Sequence, residues 1–256
     1  MTLSPEKIFA RHFSLPQIGP EGQTALSWAH VVVVGVGAVG SRIAELLCRA
    51  GIGRLTLIDR DFVEFSNLPR QTLYTWSDAA SSIPKVEAAR RHLNSIMPAC
   101  IVFPKHANLD ACNASELLRP AHVVADGTDN LETRYVINDW CVKNGIPWVY
   151  AGASGTKASV FPVLPNGACL RCLFPHAPLP EEVPACESEG VLGSATALAS
   201  ALSSSLIIRI IVGDPPEQVW HTFDVWTGEH ALIRFDKLEH FEQRPVCPVC
   251  RQPGGD

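Results

Sequence analysis

The sequence predicts an α/β fold in which an open, mainly parallel sheet carries helices on its faces and leads into a smaller C-terminal elaboration. Three observations carry this expectation. Short β-branched runs alternate with amphipathic helical stretches over residues 30–151, a glycine-rich turn joins the first run to the first helix, and two Cys-x-x-Cys pairs punctuate the second half. With 256 residues, 46% of them hydrophobic, the chain can bury one sizeable core, and a single unit over residues 1–256 is expected.

His30–Val34 is an unbroken apolar, β-branched run ended by Gly35, the signature of a buried parallel strand. A helix over residues 39–50 follows, with Val39, Ile43, Leu46, Leu47 and Ala50 at helical spacing and Gly51 placed for a left-handed cap. The next strand, 54–58, ends at Asp59. An amphipathic helix over 85–97, a strand over 122–125, a helix over 131–143 and a strand over 147–151 complete the alternation. Such alternation predicts right-handed βαβ units and a parallel sheet. From Ser159 the pattern changes to shorter β-like runs, a Pro-rich loop over 175–184, a long Ser/Ala helix, and strand-like pieces at 219–225 and 230–235. This second half reads as an elaboration that binds something. Residues 191–213 approach membrane-spanning length, but serines and Arg209 interrupt them, so a core helix and no membrane are expected.

The net charge of -5 is spread without a basic stripe, which argues against nucleic acid as a partner. Residues 1–22 lack the apolar core of a secretory signal. Nine cysteines, an odd number, do not form a disulfide scaffold in a chain of this length and point to a reducing, cytoplasmic setting.

Gly35, Gly37 and Gly40 form G-x-G-x-x-G between strand and helix, with Asp59 at the end of the next strand. Glycines there permit close approach of phosphates to a helix N-terminus, and the carboxylate can accept hydrogen bonds from ribose hydroxyls. The fold class is therefore Rossmann-like. The fingerprint alone suggests NAD. The residues downstream, Asp61, Asn67 and Arg70 and then Lys85 after Pro84, supply an amide and two cations. A hydride-transfer enzyme has little use for them, whereas attack on an α-phosphate calls for Arg, Lys and a divalent metal; taken singly, Arg70 and Lys85 would read as surface charges. The run 126–130, with Asp126, Asp129 and Asn130, could hold that metal.

Cys169 with Cys172, and Cys247 with Cys250, are two thiolate pairs that together fill the tetrahedral shell preferred by zinc. One pair alone could be a redox dithiol; two favour a structural ion that staples the C-terminal elaboration to mid-chain.

Arg11-His12, Leu15-Pro16, Ile18-Gly19, the glycine turn, the stretch from Asp59 to Gln71, Lys85, Asp129-Asn130, Arg134 and Asn138 occur in one order over nearly the whole chain. This assembly resembles the MoeB/ThiF family of ubiquitin-activating-type enzymes. The resemblance implies an adenylyltransferase that uses ATP and Mg2+ to activate the C-terminal glycine carboxylate of a small ubiquitin-like sulfur carrier, of the MoaD/ThiS kind. Residues 1–158 would be its ATP-binding part and 159–256 its carrier-binding and zinc-knuckle part. Asp59 would bind ribose; Asn67, Arg70 and Lys85 would contact phosphates; Asp129 would help hold magnesium; Asp61 and Asn130 would complete the nucleotide site. Arg11 would reach across a homodimer interface.

Cys186 stands where some family members link covalently to the carrier, although Glu187 and Glu189 would raise a neighbouring thiol's pKa, so a covalent role and an idle loop thiol remain open. The other four cysteines, Cys48, Cys100, Cys112 and Cys141, read as small packed residues, while His92, His122 and His221 have no assigned role. Ala38 replaces a glycine usual in the turn, and Ser194-Ala195-Thr196 replaces the family's usual sequence after Gly193. The sequence continues only briefly past Cys250, which implies a separate sulfur donor. Rival readings are adenylylation of a peptide terminus or a tRNA-borne carboxylate, and a non-catalytic nucleotide-binding adaptor for a ubiquitin-like partner.

Overall fold

The computed structural model describes residues 4–175, 190–234 and 246–250. These form one eight-stranded sheet in the order β3-β2-β1-β4-β5-β6-β7-β8, with β1 His30–Val34, β2 Arg54–Asp59, β3 Ile101–His106, β4 Val123–Asp126, β5 Trp148–Ser154, β6 Lys157–Val163, β7 Val219–Asp224 and β8 His230–Arg234. The pairings of β3 through β5 are parallel, and those from β5 to β8 are antiparallel. All of β1 is buried because it is central and covered on both faces: Val31 and Val33 join one core cluster, Val32 and Val34 the other. Between β1 and β4 the strand order reverses, which opens a crevice at their carboxyl ends.

Three helices dominate the first face: α4 Gly40–Ala50, α6 Lys85–Ile96 and α10 Gly193–Ile211. The second face carries α7 Ala114–Leu117 and α8 Leu131–Asn144. As expected, α4 stops at Gly51 in the left-handed region, with φ 91°. Of the described helices, α10 alone is long and apolar enough to cross a membrane. It packs instead on β4, β5, β6 and α4, burying Ala195, Ala199 and Ile207. Of its buried serines, Ser200 and Ser204 donate to the carbonyls of Thr196 and Ser200, four residues back.

Several elements depart from the periodicity reading. Three N-terminal helices, α1 Pro5–Ile8, α2 Ala10–Phe13 and α3 Gly19–Trp28, and the short α5 Trp76–Ala80 had no clear apolar period. β3 escaped notice because Pro104 interrupts it; as an edge strand pairing only with β2 it can tolerate a residue without an N–H. α9 Leu170–Leu173 is the single turn that carries the first cysteine pair. Of the expected Pro-rich loop, only Pro175 is described, and Cys186 lies outside the described residues.

Candidate functional site

The glycine turn is built by mutual contact. Gly35 has φ 78°, and a Cβ there would approach the Gly127 carbonyl at 2.8 Å; one on Gly40 would run into the Gly35 carbonyl oxygen. These contacts seat the β1–α4 turn against the end of β4. Ala38 is not among the positive-φ residues, so its methyl is accommodated without strain. Tyr74 donates its hydroxyl to the Val36 carbonyl at 2.6 Å and props the turn from below. In front of the turn lies an open cavity of about 730 Å3 lined by Gly35, Gly37, Asp59, Asp61, Asn67, Arg70, Lys85, Asp129 and Asn130. Gly40 sits behind this surface as the packing glycine.

Asp59 ends β2 with its carboxylate clamped from two sides: the Val36 amide donates to Oδ2 at 2.6 Å and the Asp61 amide to Oδ1 at 2.8 Å. Burial raises its pKa, against the opposing pull of Lys85 and of these amides. Lys85 opens α6, buries its stem, and reaches Asp61 Oδ2 at 2.9 Å. Its ammonium is thus aimed at the cavity by an exposed carboxylate. Asn67 is buried, its Oδ1 accepting from the Glu64 amide at 3.0 Å, and Arg70 is tethered through Nη1 to the Ser66 carbonyl at 2.8 Å.

The acidic run at the end of β4 divides its labour in a way the spacing did not reveal. Asp126 is completely buried, accepting from the Thr128 amide and hydroxyl and from Arg134 Nε at 3.0 Å. It braces the turn and is no metal ligand, which corrects the expectation for that residue. Asn130 caps α8, its Oδ1 accepting from the Thr133 amide at 2.9 Å, which leaves its NH2 group and one oxygen lone pair for a ligand. Asp129 is the exposed carboxylate at the cavity wall.

Arg11 does not line this cavity. Its helix is fixed near the far end of α4: His12 Nδ1 meets Gln23 Oε1 at 2.9 Å, Gln23 donates to the Ala50 carbonyl at 3.0 Å, and Phe9 packs at Gly51. A contact missed in the sequence is Arg42, on the first turn of α4. It donates to Thr72 Oγ1 at 3.0 Å and to the Gly193 carbonyl at 2.9 Å, tying the glycine-turn helix to the start of α10. Thr196 on α10 and nearby Gly190 and Val191 also border the cavity.

Cys169, Cys172, Cys247 and Cys250 converge, with all four Sγ atoms within 4.8 Å of one another. The separations of 3.7 Å (Cys169–Cys247), 4.0 Å (Cys169–Cys172) and 3.4 Å (Cys172–Cys250) bracket the ~3.8 Å edge of a tetrahedron with Zn–S bonds near 2.3 Å. The cluster therefore fits zinc. Asn138 of α8 donates to Cys169 Sγ at 3.7 Å and accepts from the Leu170 amide at 2.9 Å, the outer support such sites need. Cys48, Cys100 and Cys141 are buried as expected, whereas Cys112 is exposed, on a turn whose amides are held by Asp110. His92 pairs with Asp78 at 2.7 Å and His122 Nδ1 accepts from the His30 amide at 3.0 Å, both structural contacts.

Comparisons with known proteins extend this geometry. The ThiS sulfur carrier protein adenylyltransferase of Bacillus subtilis is 36% identical over 243 residues, covering 94% of this chain and 70% of that protein. A sulfur carrier protein adenylyltransferase of Thermus thermophilus is 37% identical over 254 residues, covering 94% and 89% respectively. E. coli MccB superposes with a TM-score of 0.81 over 98% of this chain and 75% of its own, at 22% identity, a likeness of fold. Residues 9–249 match the ThiF family model: the chain belongs to the ThiF family.

Proposed function

We propose that the protein is an adenylyltransferase that uses ATP to activate the C-terminal glycine carboxylate of a small ubiquitin-like sulfur carrier. The observation that carries this reading is the convergence of Asp59, Asn67, Arg70, Lys85 and Asp129 on one cavity in front of a helix N-terminus. Relatives 36% and 37% identical over the aligned residues are named as sulfur carrier protein adenylyltransferases.

ATP enters with its ribose toward Asp59 and its phosphates along the N-terminus of α4, where the helix dipole and free amides favour negative charge. Asp59 keeps lone pairs for ribose hydroxyls while holding the turn. Lys85 and Arg70 neutralise the phosphates, Asn67 donates its NH2 group, and Asp61 keeps the Lys85 ammonium in place. Asp129 would hold magnesium, which supplies charge neutralisation as pyrophosphate leaves. The carrier's carboxylate oxygen attacks the α-phosphorus, the bond to pyrophosphate breaks, and a carrier acyl-adenylate remains. The protein contributes positioning and electrostatic stabilisation rather than bond-making.

The thiocarboxylate-forming step follows when a separate sulfur donor displaces AMP, with Cys186 a candidate to carry the acyl group. Residues 159–256 bind the carrier, zinc bound by the four cysteines staples this part, and a homodimer supplies Arg11 to the neighbouring site. Action in the cytoplasm suits the reduced thiols.

ATP–pyrophosphate exchange by the zinc-loaded protein, with and without di-glycine-terminated carriers, tests the reading. Exchange that depends on one carrier is expected, with losses of at least about 100-fold for Arg70→Ala and Asp129→Ala, the scale of a lost transition-state contact. Unchanged exchange in folded Arg70→Ala would overturn the assignment.

A further inference from the structure

Strand direction brings two turns to the cavity end of the sheet. β5 is parallel to β4, and two antiparallel pairings return β7 to the same direction, so the β5–β6 turn at 155–156 and the β7–β8 turn at 225–229 both stand on the side of the nucleotide cavity. Hydrogen bonds clasp them together. The Val225 amide donates to the Thr156 carbonyl at 3.0 Å, and the Leu192 amide donates to the Gly155 carbonyl at 2.8 Å. Trp226 is 78% exposed and Leu192 40% exposed, so a large apolar side chain stands on each flank of the β5–β6 turn. The backbone holds the tryptophan in place: Asp224 Oδ1 accepts from the Trp226 and Thr227 amides at 2.9 and 3.3 Å, and the Gly228 amide donates to the Asp224 carbonyl at 2.8 Å. A groove of about 470 Å3 leads from the cavity to this turn. It shares Asp129, Arg134 and Gly152 with the cavity wall and continues along Gly155, Thr156 and Lys157.

A folded protein cannot enter a cavity of about 730 Å3, so a carrier whose terminal carboxylate reacts inside it must keep its body outside. From Gly152 on the cavity wall to Gly155 at the turn the chain advances about 10 Å, a length that about three extended residues of a tail span. The body then rests where the groove ends. We infer that Trp226 and Leu192 form the docking surface for the folded body of the small ubiquitin-like carrier, with Trp226 as its anchor. The inference rests on the carrier-activating part of the adenylylation reading. A tryptophan presented on a fixed turn offers a large contact at little cost in conformational freedom, and a few such side chains carry most of the energy of an interface.

The test measures binding of a di-glycine-terminated ubiquitin-like carrier from the same genome, intact and shortened by its last four residues. Trp226→Ala is expected to weaken binding of the intact carrier about tenfold to thirtyfold, the scale of a lost anchor, and Leu192→Ser about threefold. The melting temperature and the ATP affinity should keep their wild-type values, because both side chains are exposed and neither lines the nucleotide cavity. The shortened carrier should still bind and lose the same factor to Trp226→Ala, since the contacts of the body do not involve the tail. Leu192→Ser carries the comparison alone should Trp226→Ala not fold. Unchanged affinity for the intact carrier in both variants, loss of all binding on shortening the carrier, or a wild type that binds no such carrier overturns the inference. A fall in the mass of the protein itself in Trp226→Ala, with carrier affinity unchanged, overturns it too and assigns the surface to a second copy of this chain. Carrier binding that depends on Trp226 without pyrophosphate exchange would sink the adenylylation reading and leave the docking surface standing.

Discussion

At the scale of single residues, the site depends on side chains that are held before they hold anything else. Asp59 accepts from Val36 and Asp61 while facing the cavity, so replacing it disturbs turn and ligand together. Asp59→Ala is expected to lower the melting temperature and to raise the ATP KM at least about tenfold, the range for hydrogen bonds to a charged group; a variant with lowered stability and unaltered KM would confine Asp59 to the fold. His30 supplies a second test. Burial, with Arg54 and His122 adding to it, lowers its pKa to about 4, and its Nε2 lies 2.8 Å from Thr56 Oγ1. Above the unfolded value of about 6.5 neither state is protonated; below it the unfolded chain takes up a proton that the folded chain refuses, so stability falls as pH drops from about 6.5 to about 4. Urea midpoints measured at pH 7.5 and pH 5 should therefore fall, and less so for His30→Gln. Equal slopes in the two proteins would remove His30 from the explanation.

At the scale of elements, the open cavity is bordered on one side by the joint between α4 and α10. Arg42 pins that joint through the Gly193 carbonyl, and the Gly190 carbonyl, accepting from the Gly155 amide at 3.0 Å, ties the segment before α10 to the β5–β6 turn. Arg42→Met is expected to leave the melting temperature within a few degrees, as a partly exposed contact should, and to raise the KM for the carrier more than that for ATP. Equal effects on both substrates would make Arg42 a general stabiliser. For the cysteine cluster, a chelator should sensitise residues 169–175 and 246–250 to proteolysis while ATP binding persists; retained protection would argue against a bound ion. The same elements show what was legible beforehand. β1 is legible as an unbroken apolar run because both its faces are covered, α4 because its apolar positions recur at helical spacing, and the cysteine pairs are read from spacing because a tetrahedral ion would impose that constraint. Arg42, Asp126 and Asn130 were opaque for a common reason. Arg42 acts through partners distant in sequence, Asn130 through capping geometry and Asp126 through complete burial against Thr128 and Arg134, none of which residue type alone specifies. β3 was hidden by Pro104, whose tolerance depends on the strand lying at the sheet edge.

At the scale of the whole molecule, the position of Arg11 decides whether one chain suffices. Its helix is anchored beside Gly51, while the cavity lies at the opposite end of α4, and the eleven residues between span about 16 Å. An arginine side chain cannot cover that length, so within one chain Arg11 cannot reach the phosphates at the glycine turn. A second copy arranged about a two-fold axis can present it. Two individually inactive variants, Arg11→Ala and Lys85→Ala, then complement each other when mixed under conditions that allow subunit exchange. In an equal mixture about half of the dimers are mixed, each with one complete site, so exchange activity should recover to about a quarter of the wild-type value. Size-exclusion chromatography with light scattering supplies the matching mass, twice that of the 27.8 kDa chain. No recovery, in a mixture shown by differential tags to contain mixed dimers, would place Arg11 outside the reaction of the neighbouring copy and leave its charge to serve the fold or the carrier alone.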